Sequence, residues 1–163
     1  MKIISALLVS LTCIQLYACN KKKEMVQTNN ANNISSTDTT HNTPNTDTTK
    51  MKITIGTHIF TATFNNNATA TSFKAKLPIT INMTELNGNE KYFDLPNALP
   101  ANASNPVTIQ NGDLMLYGSN TLVLFYKTFS TSYSYTPLGH IDNPSGLAAA
   151  LGSGNITVKF ELE

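Results

Sequence analysis

The chain has 163 residues, 40% of them hydrophobic and 13% charged, which suits one domain with appendages and is too short for two ordinary domains. Its 11 basic side chains are all lysines and face 10 acidic ones. A formal charge of +1 excludes the clustered cationic surface of a nucleic-acid binder, and no arginine fork is available for a phosphate or carboxylate.

Residues 1–18 read as an address. Met1-Lys2 gives a positive start, and the mostly apolar run from Ile3 to Leu11 is too short to span a bilayer, which takes about 20 residues. Leu16-Tyr17-Ala18-Cys19 then resembles the bacterial lipobox, in which the cysteine becomes the lipidated first residue of the mature chain. The alternative is a secretory signal cut elsewhere, with Cys19 incidental. The lipobox reading implies a lipid-anchored protein of the bacterial cell envelope, held to a membrane through Cys19. With Cys13 in the leader and Cys19 acylated, neither a disulfide framework nor a cysteine zinc site is expected.

Residues 19–50 form a polar tether. Lys21-Lys22-Lys23-Glu24 is followed by Asn29-Asn30, Asn32-Asn33, Ser35-Ser36-Thr37 and Thr48-Thr49, with too few apolar side chains to offset the entropy of ordering. A flexible linker of that length has an r.m.s. span of about 30 Å. Lys21–Lys23 beside a lipid could touch anionic headgroups, or be only a solvated charge cluster. His41 has no neighbouring ligands and reads as inert.

Residues 51–163 form the folded domain, with six lysines against seven acidic side chains. Met51, Ile53 and Ile55 alternate with polar residues, Gly56-Thr57 interrupts, and His58, Phe60, Ala62 and Phe64 alternate again. That pattern predicts a β-hairpin. Asn65–Asn67 offers an N-cap, and Ala70, Phe73 and Leu77 are spaced for a helix that Pro78 stops. Strands are predicted at Ile79–Met83 and around Lys91-Tyr92-Phe93, joined through the turn pair Asn87-Gly88. A loop punctuated by Pro96, Pro100 and Pro106 leads to the turn Asn111-Gly112-Asp113 and a strand to Tyr117. Thr121–Phe129 reads as one nearly continuous apolar strand. Asp142 or Asn143 is placed to cap a second helix, with Pro144 in its first turn, Leu147 and Leu151 on one face and Gly152 ending it. The last strand turns Ile156, Val158, Phe160 and Leu162 to one side. Many short strands with two isolated helices predict a mainly β domain, a closed or nearly closed barrel with an open sandwich as the alternative.

Three strings carry a family resemblance: Gly112-Asp113-Leu114-Met115-Leu116-Tyr117-Gly118, the run from Leu124 to Thr136, and Leu138-Gly139-His140-Ile141 with Gly146-Leu147. With Leu86-Asn87-Gly88-Asn89 they resemble the small bacterial cyclophilin-like domains across nearly all of residues 51–163. The resemblance implies a cyclophilin-like closed β-barrel of about eight strands with two short helices. Proline-isomerising cyclophilins use an arginine to polarise the twisting peptide nitrogen, and this chain has none. Lysine does not replace that planar fork.

The densest set of candidate site residues lies between Tyr117 and His140. If that strand runs unbroken, Tyr126, Thr128, Ser130, Ser132 and Ser134 share one face, and Lys127, Phe129, Thr131, Tyr133 and Tyr135 the other. Tyr117, Tyr126, Thr128, Phe129, Tyr133, Tyr135 and His140 are the candidate ligand-binding residues. They could stack a small molecule or peptide and fix it by hydrogen bonds, or be ordinary barrel core and strand residues. His140 could serve as a base, but no serine lies in a Gly-x-Ser-x-Gly elbow. Glu85, Glu90, Asp94 and Asp113 show no metal-ligand spacing, and Gly152-Ser153-Gly154 follows a helix rather than opening one. No catalytic residue, metal or cofactor is expected. The sequence favours a membrane-anchored, non-catalytic binding module; the alternatives are a degenerate prolyl isomerase or an unrecognised hydrolase, and a structural protein docking a partner.

Overall fold

The computed structural model describes residues 49–163, so the expectations for the leader, Cys13, Cys19, His41 and nearly all of the tether lie outside the described residues. Period-two alternation makes the first hairpin: β1 (Lys50–Ile55) and β2 (His58–Phe64) pair antiparallel, with Ile53 opposite Phe60. Gly56 turns the chain at φ 57°, a conformation that costs a side-chain-bearing residue strain. β1 starts at Lys50, one residue before the apolar periodicity begins.

The remaining strands are β3 (Ile79–Leu86), β4 (Glu90–Asp94), β5 (Thr108–Ile109), β6 (Asp113–Tyr117), β7 (Thr121–Phe125), β8 (Phe129–Ser130), β9 (Tyr135–Ile141) and β10 (Ile156–Leu162). Eight of them close a barrel in the order β1-β10-β3-β4-β7-β6-β9-β2, and every pairing is antiparallel. Closure leaves the main sheet without an unpaired edge. β5 and β8 form a separate two-stranded sheet. The mainly β, eight-stranded closed barrel with two helices is therefore as the sequence predicts.

The barrel is filled by Met51, Ile53, Ile55, Ala62, Met83, Leu114, Leu116, Leu122, Leu124, Val158 and Phe160, all buried. Each large apolar side chain withdrawn from water contributes about 1.5–3 kcal/mol. Helix α1 (Ala68–Lys74) is capped by Asn67, whose Oδ1 accepts from the Ala70 N–H at 2.8 Å. It adds Ala70 and Phe73 to the same core, where Phe73 meets Phe160 edge-on at 5.9 Å.

Helix α2 (Leu147–Leu151) buries Leu147 and Leu151 and ends at Gly152 as expected, but its start is corrected. Gly146, at φ 82°, is the N-cap. The Asp142 carboxylate is held elsewhere, accepting from Lys50 Nζ at 2.8 Å and Thr63 Oγ1 at 2.6 Å. Those two hydrogen bonds, with the charge of Lys50, hold its carboxyl below the usual range despite some burial.

One further expectation about local structure is corrected, and β9 adds an irregularity of its own. The apolar run from Thr121 is not one strand to Phe129: β7 stops at Phe125, and the chain leaves the barrel to form β8 against β5. The N–H of Tyr126 turns to the carbonyl of Asn89 at 2.9 Å. In β9 the parity also breaks. Against β6, Leu114 faces Gly139 while Met115 faces Pro137, so β9 carries one extra residue. This bulge lets Leu138 and Ile141, three apart, both reach the core. Gly139 is required there, since a Cβ would lie 2.8 Å from the Thr63 carbonyl oxygen.

Candidate functional site

Strand alternation gives β4 and β7 two distinct faces. Lys91 of β4 and Leu122 and Leu124 of β7 turn inward, whereas Tyr92 and Val123 turn outward and face each other across the two strands. The outward side carries a second apolar cluster of Ile109, Met115, Val123, Phe125 and Tyr135, flanked by Tyr92 and Phe129. Here β5 and β8 bring Ile109 and Phe129 down onto the barrel wall.

Above this cluster lies a groove of about 590 Å³. One side is the outer face of β4, with Glu90, Tyr92 and Asp94, together with the β3–β4 turn residues Leu86, Asn87 and Asn89. The other is β8 and the segment after it, Phe129 to Tyr133, and Tyr117, Thr121, Val123 and Tyr135 complete the lining. The turn is set by Asn87 at φ 56° and Gly88 at φ 69°, the two left-handed positions of an Asn-Gly hairpin.

Five rings run in contact along the wall. Phe129 tilts on Phe125 at 5.7 Å, Phe125 meets Tyr135 edge-on at 5.5 Å, Tyr135 tilts on Tyr117 at 5.6 Å, and Tyr117 meets Tyr133 edge-on at 6.1 Å. Tyr135 is buried, while Tyr117 and Tyr133 keep 47% and 61% of their surface in solvent. Large exposed rings held by their neighbours are suited to stacking a ligand at low entropic cost. Burial and then the Glu90 charge push the Tyr135 hydroxyl above its ordinary pKa.

The charges in the groove are one-sided. Among the described residues its lining holds Glu90 and Asp94 and no Lys, Arg or His. Asp94 is exposed and accepts from Thr121 Oγ1 at 2.6 Å. Glu90 is half-buried, and burial, reinforced by the Glu85 charge, raises its carboxyl above the usual range. Among the described residues no hydrogen bond to that carboxylate offsets the cost. The amide oxygen of the adjacent Asn89 is buried and likewise without a partner.

The candidate residues separate into three places. Tyr117, Phe129, Tyr133 and Tyr135 come together in the groove. Tyr126 is in the barrel interior, where its hydroxyl donates to both oxygens of Glu85 at 2.8 and 2.9 Å. Burial first, then the Glu85 acceptor, pushes that hydroxyl up to about 12. Thr128 is exposed; its hydroxyl accepts from the Asn111 N–H at 3.1 Å. His140 is on the outer side of β9 away from the groove lining, with Nδ1 2.9 Å from Asp113 Oδ1. Asp113 also accepts from the Gln110 N–H at 2.8 Å, so the pair closes the turn before β6. The expected grouping of Tyr126, Thr128 and the serines on one face is thus corrected, because β7 ends at Phe125.

A polar knot absent from the sequence reading sits inside the barrel. Lys91 is fully buried and uses all three ammonium protons: on Glu85, on the Gly152 carbonyl at 2.8 Å and on the Gly154 carbonyl at 2.7 Å. The Tyr126 ring lies 5.4 Å from the ammonium. Burial alone would raise the Glu85 carboxyl. The Lys91 and Tyr126 hydrogen bonds, the Gly88 N–H and the Lys91 charge outweigh it and hold the carboxyl below the ordinary range. The glycine-rich turn therefore offers carbonyls to a cation rather than amides to an anion. Alternation around Glu90–Asp94 carried the signal for both β4 faces, but charged residues in a strand read as solvent-facing.

Among the described residues no three His, Cys, Asp or Glu side chains converge as a metal site would require. No curated protein matches the sequence. A sequence model described as the Cyclophilin-like family matches residues 53–161, which takes in all of β2 to β9, half of β1 and most of β10, and with the closed eight-stranded barrel it places this chain in that family.

Proposed function

We propose that this protein is a membrane-tethered, non-catalytic cyclophilin-like module that binds a small molecule or a peptide segment in its outer groove. The observation that carries the reading is the groove itself: a volume of about 590 Å³ walled by contacting aromatic rings, with Tyr117 and Tyr133 left open to solvent. A cleft of that size lies in the range typical of ligand sites, about 300–1,000 Å³. The non-catalytic half rests on the chain's lack of an arginine and on His140 lying outside the groove lining. The tether half rests on Leu16-Tyr17-Ala18-Cys19 and the polar segment that follows.

Thermal-shift screening against small molecules and peptides tests the binding half. Ligand-dependent shifts that Tyr133→Ala and Tyr135→Ala abolish support it; no shift across a broad library, with both variants harmless, removes it. Metabolic labelling with a fatty acid tests the anchor, with label expected on the wild-type chain and absent from Cys19→Ser. A protease-coupled proline-isomerisation assay is expected to stay at background. Turnover that disappears in a groove variant would make the protein an enzyme instead.

A further inference from the structure

Resting on the groove as a binding site, we infer that its ligand is a cation: an alkylammonium whose charge faces the Glu90 carboxylate and whose hydrocarbon part lies against the tyrosine faces.

Three independent features converge on that chemistry. The lining carries two carboxylates, Glu90 and Asp94, and no basic side chain, although the domain as a whole is close to neutral. The two acids sit four residues apart on the outer side of one strand, about 13 Å from end to end of β4. They therefore bias the length of the groove rather than crowding one point of it. Second, Glu90 is half-buried, and no side chain or N–H among the described residues compensates it. Lys91, its chain neighbour, faces inward and spends its protons on Glu85 and two carbonyls. Asn89 adds a buried oxygen without a donor. A half-buried acceptor without a partner calls for a donor from outside, and a cationic donor repays most. Third, the rings of Tyr117, Tyr133 and Tyr135 meet at 5.6 and 6.1 Å in tilted and edge-on pairs, which leaves ring faces turned to different sides. Ring faces are negative and attract ammonium groups within about 6 Å. An anion would meet two like charges and the negative ring faces here. A neutral ligand can offer Glu90 at most a hydrogen bond, without the opposite charge.

The alkylammonium could be a free amine or the side chain of a lysine within a peptide, and the test separates these. The full chain, labelled with ¹⁵N, is titrated with n-butylammonium, 1,5-diaminopentane and Nα-acetyl-lysine methylamide, and in parallel with neutral Nα-acetyl-norleucine methylamide and anionic glutarate. The cationic probes are expected to move the amide signals of Glu90, Tyr117 and Tyr133 at millimolar concentration. They should bind at least tenfold more tightly than the neutral analogue and weaken as salt is raised. Glu90→Gln, nearly identical in shape, should lower that affinity at least tenfold, and Glu161→Gln, outside the groove lining, should not change it. Tighter binding of the diamine than of the lysine derivative assigns a free amine, and the reverse a peptide side chain. Cationic probes that bind Glu90→Gln as well as wild type overturn the inference. So does equal or better binding of norleucine methylamide or glutarate, which leaves the groove reading standing. If no probe and no member of the broad screen moves these signals, the groove reading falls with it.

Discussion

Glu85 and Glu90 lie five residues apart on either side of one tight turn, and the barrel wall treats them in opposite ways. Glu85 meets a buried ammonium, a phenol and a backbone N–H, and its carboxyl is held down. Glu90, on the outer face, has burial without donors, and its carboxyl is pushed up. The inner cluster is closed: the three protons of Lys91 are all taken. The outer one is open, with a half-buried acid and exposed rings around a groove. Internal completeness marks the first as structural, joining β3, β4 and the end of β7 to the turn after α2. Incompleteness in the second is what the proposed ligand site rests on.

The largest effect that would break this contrast is expected at Lys91. Lys91→Ala leaves Glu85 and two carbonyls without their donor, and urea unfolding should show a loss of about 3–5 kcal/mol. An unchanged midpoint would mean that the inner cluster does not hold the barrel together. Tyr126→Phe removes only the phenolic donor to Glu85 and should cost about 2 kcal/mol. Combined with Glu85→Gln it should cost less than the sum of the two single losses, as members of one network do.

Acid titration of stability sharpens the comparison, because the two carboxylates contribute with opposite signs. The Glu85 carboxyl is depressed on folding. Its stabilisation is present above the ordinary value near 4.5 and is lost as pH falls through the folded value. The Glu90 carboxyl is raised, so its contribution is favourable below 4.5 and disappears as pH climbs through the folded value. Glu85→Gln should therefore flatten the loss of stability in acid. Glu90→Gln should make the protein more stable at neutral pH, with a gain that shrinks on acidification. Glu85 raises the Glu90 carboxyl, Glu90 in turn raises the Tyr126 and Tyr135 hydroxyls, and Lys91 is turned inward to Glu85, so these neighbours bring Glu90 no compensating cation. The smallest stability change is expected at Tyr133, whose ring is mostly in solvent. Tyr133→Ala should stay within about 0.5 kcal/mol of wild type while losing groove binding.

Much of the barrel was legible because burial on one face writes itself into a strand as alternation. The β1–β2 hairpin, the Asn87-Gly88 turn, the α1 cap region and the last strand all follow from that pattern or from turn chemistry. Failures occurred where alternation was absent or misleading. From Thr121 to Tyr126 both faces are covered, the inner by the barrel core and the outer by β5 and β8, so nothing in the run signals that β7 ends at Phe125. The extra residue in β9 shifts parity without an apolar signature, and only Gly139 hints at the close approach to β2. The tyrosines of the groove were found because their hydroxyls and rings are dense in sequence. Glu90 has no metal-ligand spacing to single it out, and Lys91 is masked because a charged residue alternating in a strand ordinarily faces water.

The order of strands around the barrel has a consequence for presentation. Counting either way round the ring, β7 is the fourth neighbour of β1, so the strand that begins the domain and the strand beneath the groove occupy opposite walls. Anything that pulls on or holds the amino end therefore loads the far side of the cylinder. The first strand thus leaves the groove's mouth clear, on the wall of the barrel farthest from where the chain enters it.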